Sequence, residues 1–462
     1  MSHLDSSVQV HEAVEQPRSA VYRVGRRPRI VIIGGGFAGI AAARALRHAD
    51  ADVVLIDRRN HHIFQPLLYQ VATSILSPAD IAAPIRQLEV KQRNLSVLLA
   101  EVVGISLADR TVDASPLGGG SRKIAFDFLV IGTGMRPSYF GHDEFARYAP
   151  GLKSLSDAET IRAKVLAAFE LADTTDDEAE RTRQMTFALV GAGPAGVELA
   201  ASLAHLVNVT LKGNFHRINP AMARIILLDG ATRVLPTFAE SLSRKVTKRL
   251  EKLGVKVVTD VKVEAVDDNG VIAGGSRIPS ATVLWTAGVT ASPVMKLLGT
   301  KTDRAGRALV DPCLKVVDAA GVFVVGDAAS VTQDGHPVPG VVQAAIQEGR
   351  YVGQLIAQEL QGREVTRPFR YVDKGSMAVV GKNYAVLERG SLRMSLMFLV
   401  WAFIHILSLP QLQNRLRVQR QWLWSYFTGQ RSSRLIPEQS VDTGRGVSAE
   451  PAMPTPRTTP SA

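Results

Sequence analysis

Near its start the chain reads RIVIIGGGFAG (29–39), an apolar, β-branched run that leads directly into a glycine-rich turn. The same plan recurs 157 residues later as TFALVGAGPAG (186–196). A turn of this kind between a buried strand and a helix suits a pyrophosphate, because the glycines let the backbone approach the ligand and the helix N-terminus favours anions. One match alone is weak evidence, since glycines mark any tight turn. Two matches in the same context predict a chain that holds two dinucleotides.

Each glycine turn is followed by a second apolar strand that ends in an acid, Asp57 in the first unit and Asp229 in the second. A carboxylate at this place can bond a ribose 2′-hydroxyl. At Asp229 it should repel a 2′-phosphate and so favour NADH over NADPH, although Arg233 nearby weakens that preference. The candidate phosphate-binding glycines are Gly34, Gly36 and Gly39 in the first unit, and Gly191, Gly193 and Gly196 in the second.

These repeats predict an α/β fold with two Rossmann-like dinucleotide-binding domains, the second inserted in the first, and a C-terminal membrane-anchoring module. The spacing of Ser156 and Glu159 matches a capping box and predicts a helix near 156–171 between the units. We expect the following division: a disordered tail (1–27), a first dinucleotide-binding domain (28–150 and 281–365), a second dinucleotide-binding domain (151–280), the C-terminal module (366–437) and a second disordered tail (438–462).

Composition narrows the function classes. The chain has 462 residues, of which 46% are hydrophobic and 21% charged, as in a folded protein. Its single cysteine, Cys313, excludes a disulfide framework and a redox-active cysteine pair, and it fits a reducing compartment. No residues have the spacing of a metal site, so we assign no metal. The net charge of +11 suggests an anionic surface, either membrane or nucleic acid.

A third segment indicates which dinucleotide occupies which site. The run GVFVVGD (321–327) is an apolar strand that ends in Asp327, and a carboxylate there suits the ribityl hydroxyls of a flavin. Together with VIGTG (130–134), which ends at Gly134, this part of the chain resembles the two-dinucleotide-binding-domain flavoproteins. That resemblance implies FAD at the first site and NADH at the second.

A narrower resemblance rests on NHHIFQPLLYQVA (60–72), which is similar to the flavin-side loop of type II NADH:quinone oxidoreductases. Residues 191–198, 340–347 and 373–377 agree with it. The resemblance implies that Gln343 and Gln347 border a quinone channel, one helical turn apart, with Val342 where the family usually has alanine. It also implies catalytic roles for Glu198 and Lys374 near the flavin, where a buried charged group must pair or shift its pKa. Further contacts carried over are Phe37, Gln65, Gly134 and Gln343 for FAD, and Glu198 and Gly288 for NADH.

The region from Arg389 to Pro437 has no acidic residue but holds seven arginines and three of the four tryptophans. Its uncharged run, residues 394–409, is shorter than the roughly 20 residues that span a bilayer, so it should lie in the membrane interface. In the next stretch Leu412, Leu416, Leu423 and Phe427 lie near one helical face. We expect Arg415 and Arg417 to reach headgroups, and Trp422, Trp424 and Tyr426 to lie in the interfacial zone. The placement of Trp401 and His405 also resembles the anchoring C-terminus of the family.

The sequence therefore predicts a respiratory, non-proton-pumping NADH:quinone oxidoreductase with FAD as cofactor and a membrane quinone as acceptor. We expect a homodimer, peripheral on the cytoplasmic side of the cell inner membrane, with no nucleic-acid partner. Two alternatives remain open at this point. One is a soluble FAD-dependent reductase of a small electron-carrier protein such as ferredoxin, and the other is a flavoprotein that binds nucleic acid through its basic surface.

Overall fold

The computed structural model describes residues 26–363, 367–396 and 398–436. Most of the two predicted tails (1–27 and 438–462) lies outside these ranges. Arg26 and Arg27 are described, and they form ion pairs with Asp127 (3.1 Å) and Asp50 (2.6 Å) respectively.

The first glycine turn belongs to a seven-stranded sheet. Five parallel strands form its centre, and an antiparallel extension continues from one edge. In spatial order the strands are Val322–Val324, Phe128–Ile131, Arg29–Ile33, Asp52–Asp57, Leu95–Ser106, Thr111–Pro116 and Arg122–Ala125. The strand Val322–Val324 comes late in the sequence, so this sheet is completed by chain that follows the second glycine turn.

The second glycine turn belongs to a four-stranded parallel sheet, in the spatial order Val255–Val258, Arg224–Leu228, Thr186–Val190 and Thr282–Trp285. Both central strands are buried along nearly their whole length, as β-branched runs in parallel sheets require. A ribbon of Met135–Pro137 and Val289–Ala291 links the two sheets. The remaining strands are Val263–Asp267, Gly270–Ala273, Ser276–Pro279, His61–Ile63, Ala82–Pro84, Ala308–Leu309, Ala329–Ser330, Thr332–Gln333 and His336–Pro337.

Helices cover both sheets, and the longest one between the two glycine turns is Leu155–Thr174. Its N-cap is Ser154, whose hydroxyl accepts a hydrogen bond from Asp157 N, while Asp157 accepts one from Ser154 N. The predicted cap at Ser156 is therefore wrong by two residues. The described α-helices are Phe37–Ala45, Leu68–Ala72, Pro78–Ile81, Leu155–Thr174, Glu178–Gln184, Pro194–His205, Glu240–Lys252, Val294–Leu298, Val342–Glu359, Phe398–Ser408 and Leu412–Thr428.

The C-terminal region consists of a three-stranded antiparallel sheet and two helices. The strands are Ser376–Val379, Ala385–Arg389 and Leu392–Leu396, and the helices are Phe398–Ser408 and Leu412–Thr428. The predicted uncharged run at 394–409 is thus divided between a strand and a helix. Within the described ranges, no helix is both long and apolar enough to cross a membrane.

Two of the C-terminal tryptophans belong to the core, which corrects their predicted interfacial role. Trp401 is fully buried, stacks on His405 with ring centres 4.1 Å apart, and lies 5.3 Å from Trp422. Trp422 is 7% exposed and donates its indole N–H to Gln70 Oε1 at 2.6 Å. Burial of an indole is stable when its N–H finds a partner, as it does here. Trp424 and Tyr426 do reach the surface.

The helix Val342–Glu359 packs closely against the helix Phe37–Ala45 that follows the first glycine turn. The contact runs through Gly349 and Gly353, one helical turn apart. A Cβ at Gly349 would lie 2.0 Å from Ala38 O, and one at Gly353 would lie 2.7 Å from Ala42 O. The absence of side chains at these two positions therefore sets the distance between the helices.

We expect Gly349→Ala to lower the free energy of unfolding by about 2 kcal/mol, because the added methyl group would overpack this contact. The sign of this change tests the packing, because at an exposed helix position the same substitution would instead stabilise the protein by about 1 kcal/mol. Denaturant unfolding of the flavin-loaded protein measures the change. Gln354→Ala, at an exposed position of the same helix, serves as the control and should be close to neutral. A stabilised Gly349→Ala variant would contradict the packing argument.

Candidate functional site: two nucleotide-binding turns and a partly open cavity

The first glycine turn leaves one face of its backbone open. Gly34 has φ +106°, and a Cβ there would lie 2.5 Å from Gly132 O. A Cβ at Gly39 would lie 1.9 Å from Gly34 O, so the helix packs directly on the turn. A Cβ at Gly36, by contrast, would have no neighbour closer than Gly132 O, at 3.8 Å. The space at Gly36, at the N-terminus of the helix Phe37–Ala45, is where a pyrophosphate fits.

Asp57 holds this turn in place through its carboxylate, which accepts hydrogen bonds from Gly35 N (2.6 Å) and Arg59 N (2.7 Å). On the other side of the central strand, Gly134 has φ +64°, and a Cβ there would meet no described atom within 4 Å. The neighbouring Thr133 hydroxyl is buried and has no hydrogen-bond partner among the described residues. An open backbone and an unsatisfied hydroxyl beside it are what a bound nucleotide would complete.

Asp327 lies at the end of the strand that completes this sheet, in a short turn at Gly326–Ala328. Burial raises the pKa of its carboxyl, and the positive charges of Lys153 and Arg307 oppose that effect. Beneath it is Glu348, 3% exposed, which accepts a hydrogen bond from Gly326 N at 2.5 Å. Burial raises the pKa of Glu348 to about 8. Sequence reasoning missed Glu348, although an acid between Ala344 and Val352 on the buried helix face was a usable signal.

The second glycine turn repeats the first almost contact for contact. Gly191 has φ +105°, and a Cβ there would lie 2.5 Å from Ala287 N. A Cβ at Gly196 would lie 1.8 Å from Gly191 O, whereas one at Gly193 would have no described neighbour within 4 Å. Asp229 accepts hydrogen bonds from Ala192 N and from Ala231 N, the latter at 2.7 Å. This site therefore has the same open backbone at the start of a helix, here Pro194–His205.

Gly288 lies beside this second turn, because the preceding residues 286–287 contact it directly. The hydroxyl of Thr286 donates to Val190 O and Gly191 O at 2.9 and 2.8 Å. Gly288 has φ +67°, and a Cβ there would lie 2.4 Å from the ring of Phe140. The predicted NADH-side residue thus lies at the carboxyl end of the parallel strands, where ligands of this fold bind.

Glu198, on the helix Pro194–His205, faces the strand Ser376–Val379. Its carboxylate accepts a hydrogen bond from Val379 N at 3.2 Å. Burial raises the pKa of Glu198 to about 8, and the hydrogen bond from Val379 lowers it by less. The predicted shift of a buried carboxyl is therefore present, and the group holds its proton at neutral pH.

Glu198 also lines a partly open cavity of about 90 Å³ between the flavin-side loop, its own helix and the C-terminal helix. Arg431 reaches this cavity from beyond that helix and is 3% exposed. Its guanidinium donates to Thr73 O (2.6 Å) and Ser202 O (3.1 Å), and burial lowers its pKa to about 9. Among the arginines of the predicted anchor, this one therefore points into the protein.

Gln343 and Gln347 lie one turn apart on the helix Val342–Glu359, as predicted, and both amides bind one extended segment. Gln343 donates to Gly375 O and accepts from Lys374 N, each at 3.0 Å. Gln347 donates to Val372 O (3.0 Å) and accepts from Val372 N (2.9 Å). In this arrangement the two side chains position residues 372–375.

Three further candidates are located by the structure. The expectation of a buried ammonium at Lys374 is not met, because this side chain is exposed. Gln65 is also exposed and donates to Lys153 O at 3.3 Å. Phe37 packs edge-on against His62, with ring centres 4.7 Å apart, and against Phe64 at 6.0 Å. Phe64 in turn contacts His405, which connects the first glycine turn to the C-terminal helices.

Comparison with known proteins agrees with this geometry. The pyridine nucleotide-disulphide oxidoreductase family matches residues 28–349. Two proteins of Mycobacterium tuberculosis, named type II NADH:quinone oxidoreductase NdhA and Ndh, are each 43% identical over 90% of this chain and over 91% and 92% of their own lengths.

The fold also matches a solved structure, NDH2 from Plasmodium falciparum in complex with NADH. The TM-score is 0.80 at 20% identity, over 88% of this chain and 99% of that one. The match extends beyond the nucleotide-binding turns to most of the described fold. The chain therefore belongs to the pyridine nucleotide-disulphide oxidoreductase family and, within it, to the type II NADH:quinone oxidoreductases.

Proposed function

We propose that the protein oxidises NADH and reduces a quinone, with FAD as its cofactor and without pumping protons. The observation that carries this function is the 43% identity to type II NADH:quinone oxidoreductases over nine-tenths of the chain. The two nucleotide-binding turns supply the geometry that the reaction needs, since FAD and NADH must be held at the same time. When bound, FAD supplies the group that can accept a hydride from NADH and pass two electrons to the quinone.

The residues present fit both nucleotides. The backbone is open at Gly36 and Gly193, each at the start of a helix, so that two pyrophosphates can be held by free N–H groups. Asp57 and Asp229 retain lone pairs that can accept from a ribose hydroxyl, and Asp327 can accept from the ribityl chain. We assign FAD to the domain built on the seven-stranded sheet and NADH to the domain built on the four-stranded sheet. The strand Thr282–Trp285 belongs to the second of these, so the boundary expected between residues 280 and 281 moves beyond that strand.

The protein's own residues would also manage protons and quinone access. Glu198 is proposed to hold a proton on its carboxyl at neutral pH, next to the strand Ser376–Val379. Gln343 and Gln347 fix the backbone of residues 372–375 and so position Lys374 and the quinone side of the site. In this role the amides shape the channel through the segment they bind.

We further propose that residues 366–437 form a membrane-docking surface. The outward faces of both C-terminal helices are apolar: Leu399, Phe403, Leu407, Leu412, Leu416, Leu423 and Phe427 are each more than half exposed. Such a surface with exposed Arg417 and Arg420 suits the interface of an anionic bilayer. Because the exposed groups are apolar as well as basic, lipid is favoured over nucleic acid or an acidic carrier protein. Attachment to the cytoplasmic face of the inner membrane and a homodimeric state are part of this proposal.

The function is tested by a steady-state assay with NADH as donor. We expect the purified flavin-loaded protein to reduce short-chain ubiquinone or menaquinone analogues at least tenfold faster than ferredoxin. Turnover should be faster with NADH than with NADPH as donor, because the carboxylate of Asp229 repels a 2′-phosphate. Asp229→Ser should narrow the difference between the two donors. Preferential reduction of ferredoxin would overturn the proposed function.

The pH dependence tests the role of Glu198. Because its pKa is raised to about 8, the carboxyl is protonated at neutral pH, and turnover should fall as the pH rises through about 8. Glu198→Gln cannot titrate, so it should lose this alkaline decline and reduce turnover at pH 7 by about a hundredfold. Glu348→Gln is the matched control, since the pKa of Glu348 is also about 8 but the group lies beneath Asp327. An alkaline decline that persists in Glu198→Gln would exclude this role.

The docking surface is best tested by point substitutions, because a truncation from residue 391 would also remove the buried Trp401, Trp422 and Arg431. We expect the triple variant Phe403→Glu, Leu416→Glu, Phe427→Glu to bind phosphatidylglycerol vesicles at least about a hundredfold more weakly, since each buried apolar side chain contributes about 1.5–3 kcal/mol. Its flavin content should be unchanged. The control carries Val90→Glu, Leu117→Glu and Met222→Glu, at exposed apolar positions elsewhere. Equal vesicle binding by both variants would refute the assignment.

A further inference from the structure

Phe140 combines two unfavourable features that the fold does not require. Its ring is 66% exposed, although a phenylalanine of this size normally lies in the core. Its backbone has φ +55°, in the left-handed region, where a bulky residue is rare. Residues held in sparsely populated backbone conformations are concentrated at ligand sites and switch regions.

The surroundings of Phe140 keep it in this position. Ser138 N donates to Gly288 O at 3.3 Å, and the indole N–H of Trp285 donates to Ser138 O at 2.8 Å. The ring of Tyr139 packs on Trp285 with centres 5.0 Å apart. The turn that presents Phe140 is therefore tied to the loop after the strand Thr282–Trp285.

That loop is part of the second nucleotide-binding turn. Thr286 bonds the backbone of Val190 and Gly191, and Gly288 lies directly under the Phe140 ring, where any Cβ would clash at 2.4 Å. The ring therefore lies at the rim of the site at which Gly193 leaves room for a pyrophosphate.

Strand order indicates which half of the dinucleotide lies there. In the four-stranded sheet, the strand that ends before Asp229 lies on one side of Thr186–Val190, and the strand Thr282–Trp285 lies on the other. Asp229 is placed for the ribose of the adenosine half, and the pyrophosphate spans the central turn. The nicotinamide half must then extend toward Gly288 and Phe140.

We propose that Phe140 is a positioning residue for the nicotinamide half of NADH, whose exposed ring covers the ribose and nicotinamide when the dinucleotide binds. This inference rests on the proposed function, because it takes NADH as the occupant of the second site. Binding would bury the exposed apolar face, which accounts for its retention at a strained backbone position. The ring would orient the nicotinamide from the side of the second sheet, with Glu198 on the helix that begins at the same turn.

The test compares two unreactive ligands of the flavin-loaded enzyme: 1,4,5,6-tetrahydro-NAD, which has the reduced ring, and ADP-ribose, which lacks nicotinamide. We expect Phe140→Ala to weaken binding of tetrahydro-NAD about tenfold, as for loss of one aromatic contact, and to leave the affinity for ADP-ribose unchanged. Phe140→Tyr should restore binding. The KM for NADH should rise by a similar factor, and the KM for quinone should stay constant.

Two further variants separate positioning from folding. Phe140→Gly relieves the left-handed backbone, so its melting temperature should equal or exceed that of the parent while its affinity for tetrahydro-NAD falls. Leu117→Ala removes an exposed apolar side chain from a turn of the seven-stranded sheet and should change neither property.

If Phe140→Ala lowered the affinity for both ligands equally and also lowered the melting temperature, Phe140 would have only a structural role and the proposal would be overturned. Unchanged affinity for tetrahydro-NAD would also overturn it. These results differ from failure of the proposed function, in which the parent enzyme would itself bind neither ligand or would reduce ferredoxin in preference to quinone.

Discussion

The close approach of backbone to backbone at the two glycine turns is the constraint on which the rest of the structure depends. Gly39 and Gly196 let each helix start directly on its turn, where even one methyl group would lie within 2 Å of a carbonyl oxygen. The carboxylates of Asp57 and Asp229 then bond the turns from the neighbouring strands. Each helix N-terminus is thereby aimed at an open space with its free N–H groups exposed. The strand order around these turns places the remaining polar residues.

The two sites diverge in what closes them. The first is closed by the turn at Gly326–Ala328, supported from below by Glu348, and by the helix pair that meets at Gly349 and Gly353. The second has the exposed side chain of Phe140 at its rim. A tightly supported site suits a cofactor that remains bound, whereas an open one suits a co-substrate that must leave after each turnover.

Local patterns were sufficient to predict the strands that flank the two glycine turns. The strands at 29–33, 52–57 and 186–190 match the structure, because β-branched runs bounded by glycines are short-range signals. The helix cap was misplaced, since Ser154 and Ser156 are both followed three residues later by an acid and only packing selects Ser154.

The contacts that the sequence did not reveal are mostly long-range. Trp422 bonds Gln70 across 352 residues, and Arg431 bonds Thr73 across 358. The region that contains both side chains was assigned from sequence to the membrane interface. A periodic pattern cannot distinguish a helix face that contacts lipid from one that contacts another part of the protein. The partners of Gln343 and Gln347 were hidden for the same reason, since a backbone segment carries no sequence pattern of its own.

The helix Leu412–Thr428 has Asn414, Val418 and Trp422 on its buried side. Trp422 donates to Gln70 of the flavin-side loop, and Asn414 donates to Ala79 O and Asp80 O in the segment that follows this loop. The opposite side of the helix is apolar and open. An element built in this way is not a modular appendage that could be grafted onto another enzyme or removed without loss of buried contacts. Evolutionary change in its outer surface is therefore separable from change in its inner face, which must keep pace with the segments that it contacts.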